Sequence, residues 1–284
     1  MKNLTFITVS LLLTSTLFLS ACQSARPTAA QLPPAAQIKN AQTGATLSPE
    51  ELLAVLSHAS QVIVGEEHTN VAHHAIELWL LQNLQSKRPQ GSVLMEMITA
   101  DQQPAVNEVK KALQSGATMR DQRIQESLRW NPGWPWPLYG ELTKTALMGD
   151  YSLLAANIPR AQVSAIYKNP VFPAGEQSSQ KTVRDALSAI IYLMHGGEIA
   201  PEQLTAMVAI QQNRDRFMAQ QLFSAPKPAL LFAGGYHAAK DIGVPLHLQD
   251  LNGQTPVVLM LTTDEATLSA KQADYIWSVA VIKK

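Results

Sequence analysis

The sequence is poor in cysteine and carries no excess of charge of either sign. Its 284 residues include one cysteine, Cys22, so no disulfide can form within the chain. Lys and Arg number 22, as do Asp and Glu, which gives a formal net charge of +0. No basic tract or aromatic-interleaved basic patch occurs, so nucleic acid is not an expected partner. The hydrophobic fraction of 46% is typical of a globular protein, whose fold must depend on its core.

Long apolar runs are also scarce, and the clearest one lies at the N-terminus. The run at residues 4–19 is short, contains Thr and Ser, and ends on small residues, which favours a cleaved export signal over a membrane span. The sequence Leu-Ser-Ala-Cys that closes it resembles the bacterial lipobox. We therefore expect removal of residues 1–21 and lipidation of Cys22. Gln23 in place of Asp after the cysteine is expected to direct such a lipoprotein to the outer membrane, with its domain facing the periplasm.

The remaining chain divides into a short linker and one large domain. Residues 22–45 are rich in Ala, Gln, Pro and Thr without a hydrophobic period, which predicts a flexible tether. Over residues 46–284 strand-like and helical segments alternate, which predicts an α/β fold with a mostly parallel central sheet flanked by helices. The helical stretch at about 98–150 is interpreted as an inserted lid, and a second helical insertion covers about 178–223. Strands are predicted at residues 61–65, 92–96, 151–155, 229–233, 256–260 and 276–282.

Polar side chains follow four of these strands at the points where they end. They are Glu66, Glu67 and His68 after the first strand, Glu96 in the second, Asn157 and Arg160 after the third, and Tyr236 and His237 after the fourth. Two of these endings share the pattern Gly-x-x-His. Because the carboxyl ends of parallel strands meet at one edge of a sheet, we expect these groups to surround one pocket.

The two Gly-x-x-His histidines permit a metal-binding interpretation. His68 and His237, together with Glu96 or Glu67, form a credible ligand set for a divalent ion such as Mn, Co or Zn. A further carboxylate would then activate a bound water, as in a metal-dependent hydrolase.

Tryptophan is concentrated in one segment, because residues 130–136 hold three of the five indoles and Tyr139 follows shortly after. Such a Pro-rich and Trp-rich connection can simply fill the core. It can equally form a wall for a large flat apolar ligand, to which a phenol adds one oxygen contact. The residues leave both interpretations open.

Taken in order, these segments resemble the ChaN-like haem-binding lipoproteins of bacterial iron acquisition, within the wider group of TIKI and erythromycin esterase-like proteins. The resemblance covers about residues 45–262, and its most specific parts are residues 64–68, 94–97, 136–139, 157–160, 234–237 and 243–245. It implies an outer-membrane lipoprotein that holds haem without turnover and dimerises on haem binding. Retained alternatives are the metal-dependent hydrolase and a non-catalytic solute-binding or partner-binding lipoprotein.

The resemblance also implies roles for individual residues. A tyrosine phenolate would bind the iron, and Tyr139 in the matching segment is preferred to Tyr236. His237 or His68 would lie near the propionates, and Arg160 would stabilise the phenolate or pair with a propionate. The other expected members of the site are Trp136 in its wall and Glu66, Glu67, Glu96 and Asn157 around it.

Overall fold

The computed structural model describes Leu32, residues 35–264 and residues 266–280, so the predicted signal peptide and Cys22 lie outside the described residues. Its strands are β1 Ala35–Asn40, β2 Gln61–Glu66, β3 Ser92–Thr99, β4 Ser152–Asn157, β5 Ala229–Gly234, β6 Val257–Thr263 and β7 Tyr275–Val279. Its α-helices are α1 Pro49–Ser57, α2 Val71–Lys87, α3 Gln103–Gln114, α4 Asp121–Leu128, α5 Trp136–Met148, α6 Arg160–Lys168, α7 Lys181–Met194, α8 Pro201–Ser224, α9 Gly235–Ala238 and α10 Val244–Asp250.

The seven strands form one sheet in the order β1-β7-β6-β2-β5-β3-β4. All neighbouring pairs are parallel except β1 and β7, which are antiparallel. Along the chain, β3 and β4 follow on one side of β2, and β5 then lies between β2 and β3. The next strand, β6, lies on the other side of β2, so the direction in which strands are added to the sheet reverses there. In an open α/β sheet, such a change of direction leaves a crevice at the carboxyl ends of the central strands.

Helices cover both faces of the sheet because side chains of the central strands alternate between two apolar layers. In β2, Val62 and Val64 pack in the layer formed by α1 to α5, whereas Ile63 packs in the layer formed by α7 to α10. Every residue of β2 and β5 is buried, as expected for central parallel strands. The structure confirms the predicted α/β fold class.

Glycine at the end of β2 allows the short helix α9 to lie directly against the sheet. A Cβ atom added at Gly65 would lie 2.6 Å from both Ala238 Cβ and Met260 Sδ. Such a contact is far shorter than van der Waals packing permits, so only a residue without a side chain fits here. The first Gly-x-x-His motif thus supports the helix that carries the second histidine.

One strand was missed by the sequence analysis. Residues 35–40 fall in the predicted tether of residues 22–45 but form β1, which pairs with β7 at the edge of the sheet. Ile38 is the buried apolar side chain that anchors it, with 2% exposed. A strand so poor in β-branched residues is fixed by its partner rather than by local preference. Among the described helices, none has the length and apolar character that a membrane span requires.

Candidate functional site

A cavity of about 650 Å³ opens at the carboxyl ends of the central strands. Its floor is formed by Glu66 of β2, Glu96 of β3, Gly234 of β5 and Thr262 of β6. One wall is apolar and belongs to α7, through Leu187, Ile190, Ile191 and Met194. The cavity therefore combines an apolar side with ionisable groups at the sheet edge, as ligand pockets commonly do.

His237 links two buried carboxylates at the floor of the cavity. Its Nδ1 lies 2.5 Å from Asp215 Oδ1 on α8, and its Nε2 lies 3.3 Å from Glu96 Oε1. Burial would lower the pKa of His237, but the charges of Glu96 and Asp215 raise that pKa to about 10. Burial would raise the pKa of Glu96, but His237 lowers it to about 2, and the Gly234 N–H donates to Glu96 Oε2 at 2.7 Å. An imidazolium is thus fixed between two carboxylates.

A second network of hydrogen bonds and ion pairs, centred on Glu66, holds the imidazole of His68. His68 Nδ1 lies 2.9 Å from Glu66 Oε1, which also accepts a hydrogen bond of 2.8 Å from the Tyr139 hydroxyl. His74 Nδ1 lies 2.9 Å from Glu66 Oε2 and 3.0 Å from Glu77 Oε2. Burial would lower the pKa of His74, but hydrogen bonds to Glu66 and Glu77 raise it to about 10. The network orients the His68 ring, whose side chain remains 40% exposed.

The two candidate tyrosines occupy opposite environments. Tyr139 is completely buried, with 0% exposed, and its hydroxyl is engaged by Glu66. Burial raises the pKa of Tyr139 well above its usual range, and the charge of Glu66 adds to the shift. Tyr236 is 50% exposed and lines the cavity. A phenolate is therefore disfavoured at Tyr139, whereas the Tyr236 phenol lies open to a ligand.

We expect the free energy of unfolding to fall as the pH rises from about 6.5 to about 10. The folded-state pKa values of His74 and His237 are raised from 6.5 to about 10. Their protonated forms therefore contribute stability that is fully present below pH 6.5 and is lost as the pH rises through about 10. Urea denaturation at these two limits measures the difference, and His237→Gln should reduce it. A free energy that is constant or rises over this interval would contradict the ion pairs.

Comparison with known proteins agrees with this architecture. The family model described as "Haem-binding uptake, Tiki superfamily, ChaN" matches residues 52–248, which is more than half of the chain. The chain belongs to this family. Among curated proteins, none matches the chain at a significant level.

One solved structure of a ChaN protein has the same fold. The structure described as cofacial heme binding to ChaN of Campylobacter jejuni is 28% identical in sequence and superposes with a TM-score of 0.79. The match covers 85% of this chain and 96% of that chain. More distant similarity is found to the type III effector HopBA1, with 12% identity, a TM-score of 0.45, and coverage of 81% of this chain and 92% of that chain. An erythromycin esterase EreC mutant in its open conformation is 13% identical, with a TM-score of 0.46 and coverage of 80% of this chain and 77% of that chain.

Six of the site residues expected from the sequence line the cavity of this ChaN-family chain. They are Glu66, Glu67, His68, Glu96, Tyr236 and His237. Their convergence follows from the parallel pairing of β2 with β5 and of β5 with β3, which brings three strand ends to one edge. Asn157 lies beside them but acts on the backbone, because its Nδ2 donates to the Glu96 carbonyl oxygen at 3.0 Å.

Two other expected residues lie away from the cavity. Trp136 does not line it, since its indole packs on Trp130 and its Nε1 donates to Asp121 at 2.9 Å. Arg160 is exposed at the start of α6 and is not among the lining residues. Arg160 was expected at the site because it follows a strand end, and Trp136 because it lies in the Trp-rich segment. Position along the chain did not determine where either side chain points.

The metal ligand set expected from the sequence is not assembled. Among the described residues, the group of potential ligand atoms that lie within 4.8 Å of one another belongs to Glu66, His74 and Glu77. His68, His237 and Glu96 are not such a group in the part of the chain that the structure describes. Each histidine contacts a carboxylate through Nδ1, which is Asp215 for His237 and Glu66 for His68. The structure thus gives the two histidines carboxylate partners of their own.

Three residues of the site were not named by the sequence analysis, although Trp134 belongs to the Trp-rich segment that was offered as a possible ligand wall. Trp134 lines the cavity, with its ring centroid 4.8 Å from that of His68. Arg214 lines it from α8, and Asp215 on the same helix holds His237. For Arg214 and Asp215 the available signal was the polar run at residues 211–216 within an otherwise partly apolar helix, which a fully solvated helix face would also produce.

Proposed function

We propose that this protein binds haem in the cavity at the carboxyl ends of its central strands, as a carrier or receptor rather than as an enzyme. Two findings support the proposal. The chain belongs to a haem-binding uptake family, and a structure of similar fold is described as showing heme bound to ChaN of Campylobacter jejuni.

The residues of the cavity fit a porphyrin. A volume of about 650 Å³ lies within the range of small-molecule pockets, which is about 300–1,000 Å³. The aliphatic side chains of α7 and the indole of Trp134 would contact the apolar macrocycle. Most of the imidazole and carboxylate groups lie where the strands end, and Asp241 lies beyond α9, so the macrocycle would be held by apolar contacts and oriented by the polar groups.

The observation that carries the proposal is the position of Tyr236. Its phenol is the tyrosine group that lines the cavity, and half of the residue is exposed. Ferric haem iron accepts a tyrosine phenolate as an axial ligand. We therefore assign Tyr236 as the iron ligand and give Tyr139 a different role, which is to hold Glu66 and, through it, His68.

The cellular setting is part of the same proposal. The lipobox-like sequence at Cys22 and the preceding apolar run support a lipid-anchored protein at the outer membrane that faces the periplasm and takes part in iron acquisition. Leu193 and Met194 are 74% and 67% exposed, and Met194 lines the cavity. Covering these side chains and Tyr236 with a second copy would remove apolar surface from water, which supports a homodimer on haem binding.

Titration of the purified domain, residues 23–284, with hemin tests the proposal. We expect a saturable shift of the Soret band and a ferric spectrum of the tyrosinate type. Light scattering on the same samples reports whether haem binding produces a dimer. A titration that gives only the spectrum of free or aggregated hemin would contradict haem binding by this chain.

A further inference from the structure

Helix α8 directs one permanent positive charge into the cavity. Among the residues that line the cavity, Arg214 is the one Lys or Arg side chain. The other ionisable lining residues are the phenol of Tyr236 and six carboxylates and imidazoles, namely Glu66, Glu67, His68, Glu96, His237 and Asp241. A guanidinium stays charged at any pH at which the protein is folded, so it supplies a fixed site for an anion.

Within the described part of the chain, the guanidinium of Arg214 has no carboxylate oxygen within 4 Å, and its charge acts on the neighbouring Asp215 only at longer range. Arg123 and Arg216 have carboxylate oxygens within 4 Å, on Glu126 and Asp250. No such ion pair is formed by Arg214, and its Nε atom is buried without a hydrogen-bond acceptor. A buried donor without an acceptor costs free energy, so this arrangement is stable only if something else compensates for it.

Two buried carboxylates beside the cavity, Asp215 and Glu96, are already engaged by other groups. Asp215 follows Arg214 on α8, but its Oδ1 lies 2.5 Å from His237 Nδ1. Glu96 is held by the His237 imidazole and by the Gly234 N–H. Both carboxylates therefore pair with His237, and the N–H groups of the Arg214 guanidinium are left to bind a ligand.

We propose that Arg214 is the residue that recognises a carboxylate of the bound ligand, which for haem is a propionate. The inference rests on the proposed function. It gives Arg214 the role of pairing with a propionate, which the sequence analysis had given to Arg160, an exposed residue outside the cavity. The aliphatic wall of α7 lines the same cavity. The preferred ligand is therefore a flat apolar molecule with a carboxylate at its edge, because a guanidinium binds carboxylates through two parallel hydrogen bonds.

The experiment compares hemin with hemin dimethyl ester, in which both propionates are blocked. The wild-type protein should bind hemin more tightly than the diester. Arg214→Gln should weaken hemin binding about 10- to 100-fold and leave diester binding nearly unchanged, because only the acid can form a charge-assisted pair. Arg160→Gln is the matched control, which removes a guanidinium outside the cavity and should bind both ligands like the wild type.

The outcomes separate this inference from the proposed function. If the wild type binds neither compound, haem binding itself is wrong. If the wild type binds hemin and the diester equally well, or if Arg214→Gln binds hemin like the wild type, the role of Arg214 is overturned. Because the wild-type comparison needs no variant, equal binding of hemin and the diester overturns the inference even if Arg214→Gln fails to fold.

Discussion

Replacing Tyr236 with phenylalanine is expected to raise the Kd for hemin about a hundredfold, which corresponds to about 3 kcal/mol, and to abolish the tyrosinate-type ferric spectrum. The substitution removes one hydroxyl from a side chain that is 50% exposed, so the fold should be unaffected. The apolar wall of α7 remains and should still retain some hemin through contacts with the macrocycle. Absorption titration and the ferric spectrum of the variant measure both effects.

Two further tyrosines provide controls. Tyr167→Phe changes a phenol that is 44% exposed on α6 and does not line the cavity, so hemin binding should be unchanged. Tyr139→Phe leaves the buried Glu66 carboxylate with one donor fewer and should reduce stability by about 1–3 kcal/mol. Its hemin spectrum should nevertheless remain of the tyrosinate type. If Tyr139→Phe loses that spectrum and Tyr236→Phe retains it, the preference for Tyr139 drawn from the sequence is correct.

Replacing His237 with alanine is expected to reduce the free energy of unfolding by about 3–5 kcal/mol, which is the usual effect of removing one partner from a buried ion pair. The substitution leaves two carboxylates, Asp215 and Glu96, with 0% and 1% exposed, without the imidazolium between them. Both must then be buried as unpaired charges or take up protons. Urea denaturation at neutral pH measures the loss.

The cause of that loss is separable from a simple cavity effect. His58→Ala removes an exposed histidine and should change stability by less than about 0.5 kcal/mol. Adding Glu96→Gln to His237→Ala removes one of the two buried carboxylates that the loss of His237 leaves unpaired, and should restore part of the lost stability. If Glu96→Gln lowers the stability of His237→Ala by as much as it lowers that of the wild type, the two effects are independent. The ion pair would then not account for the loss.

The sequence predicted the sheet edge that forms the site because the relevant signal is local. A buried apolar run that ends in Gly-x-x-His identifies a central strand and its carboxyl end within a few residues. The predicted parallel sheet then places Glu66, His68, Glu96, Tyr236 and His237 together, and the structure shows them around one cavity.

Only the tertiary structure decided which side chains face the cavity and which groups hold them. Trp134 lines it whereas Trp136 does not, although two positions separate them. The contact of Tyr139 with Glu66 and that of Asp215 with His237 join residues 73 and 22 positions apart. The strand β1 depends in the same way on β7, at the other end of the chain. A residue's exposure and its partners depend on packing between distant segments, whereas a strand and its end depend on neighbouring residues.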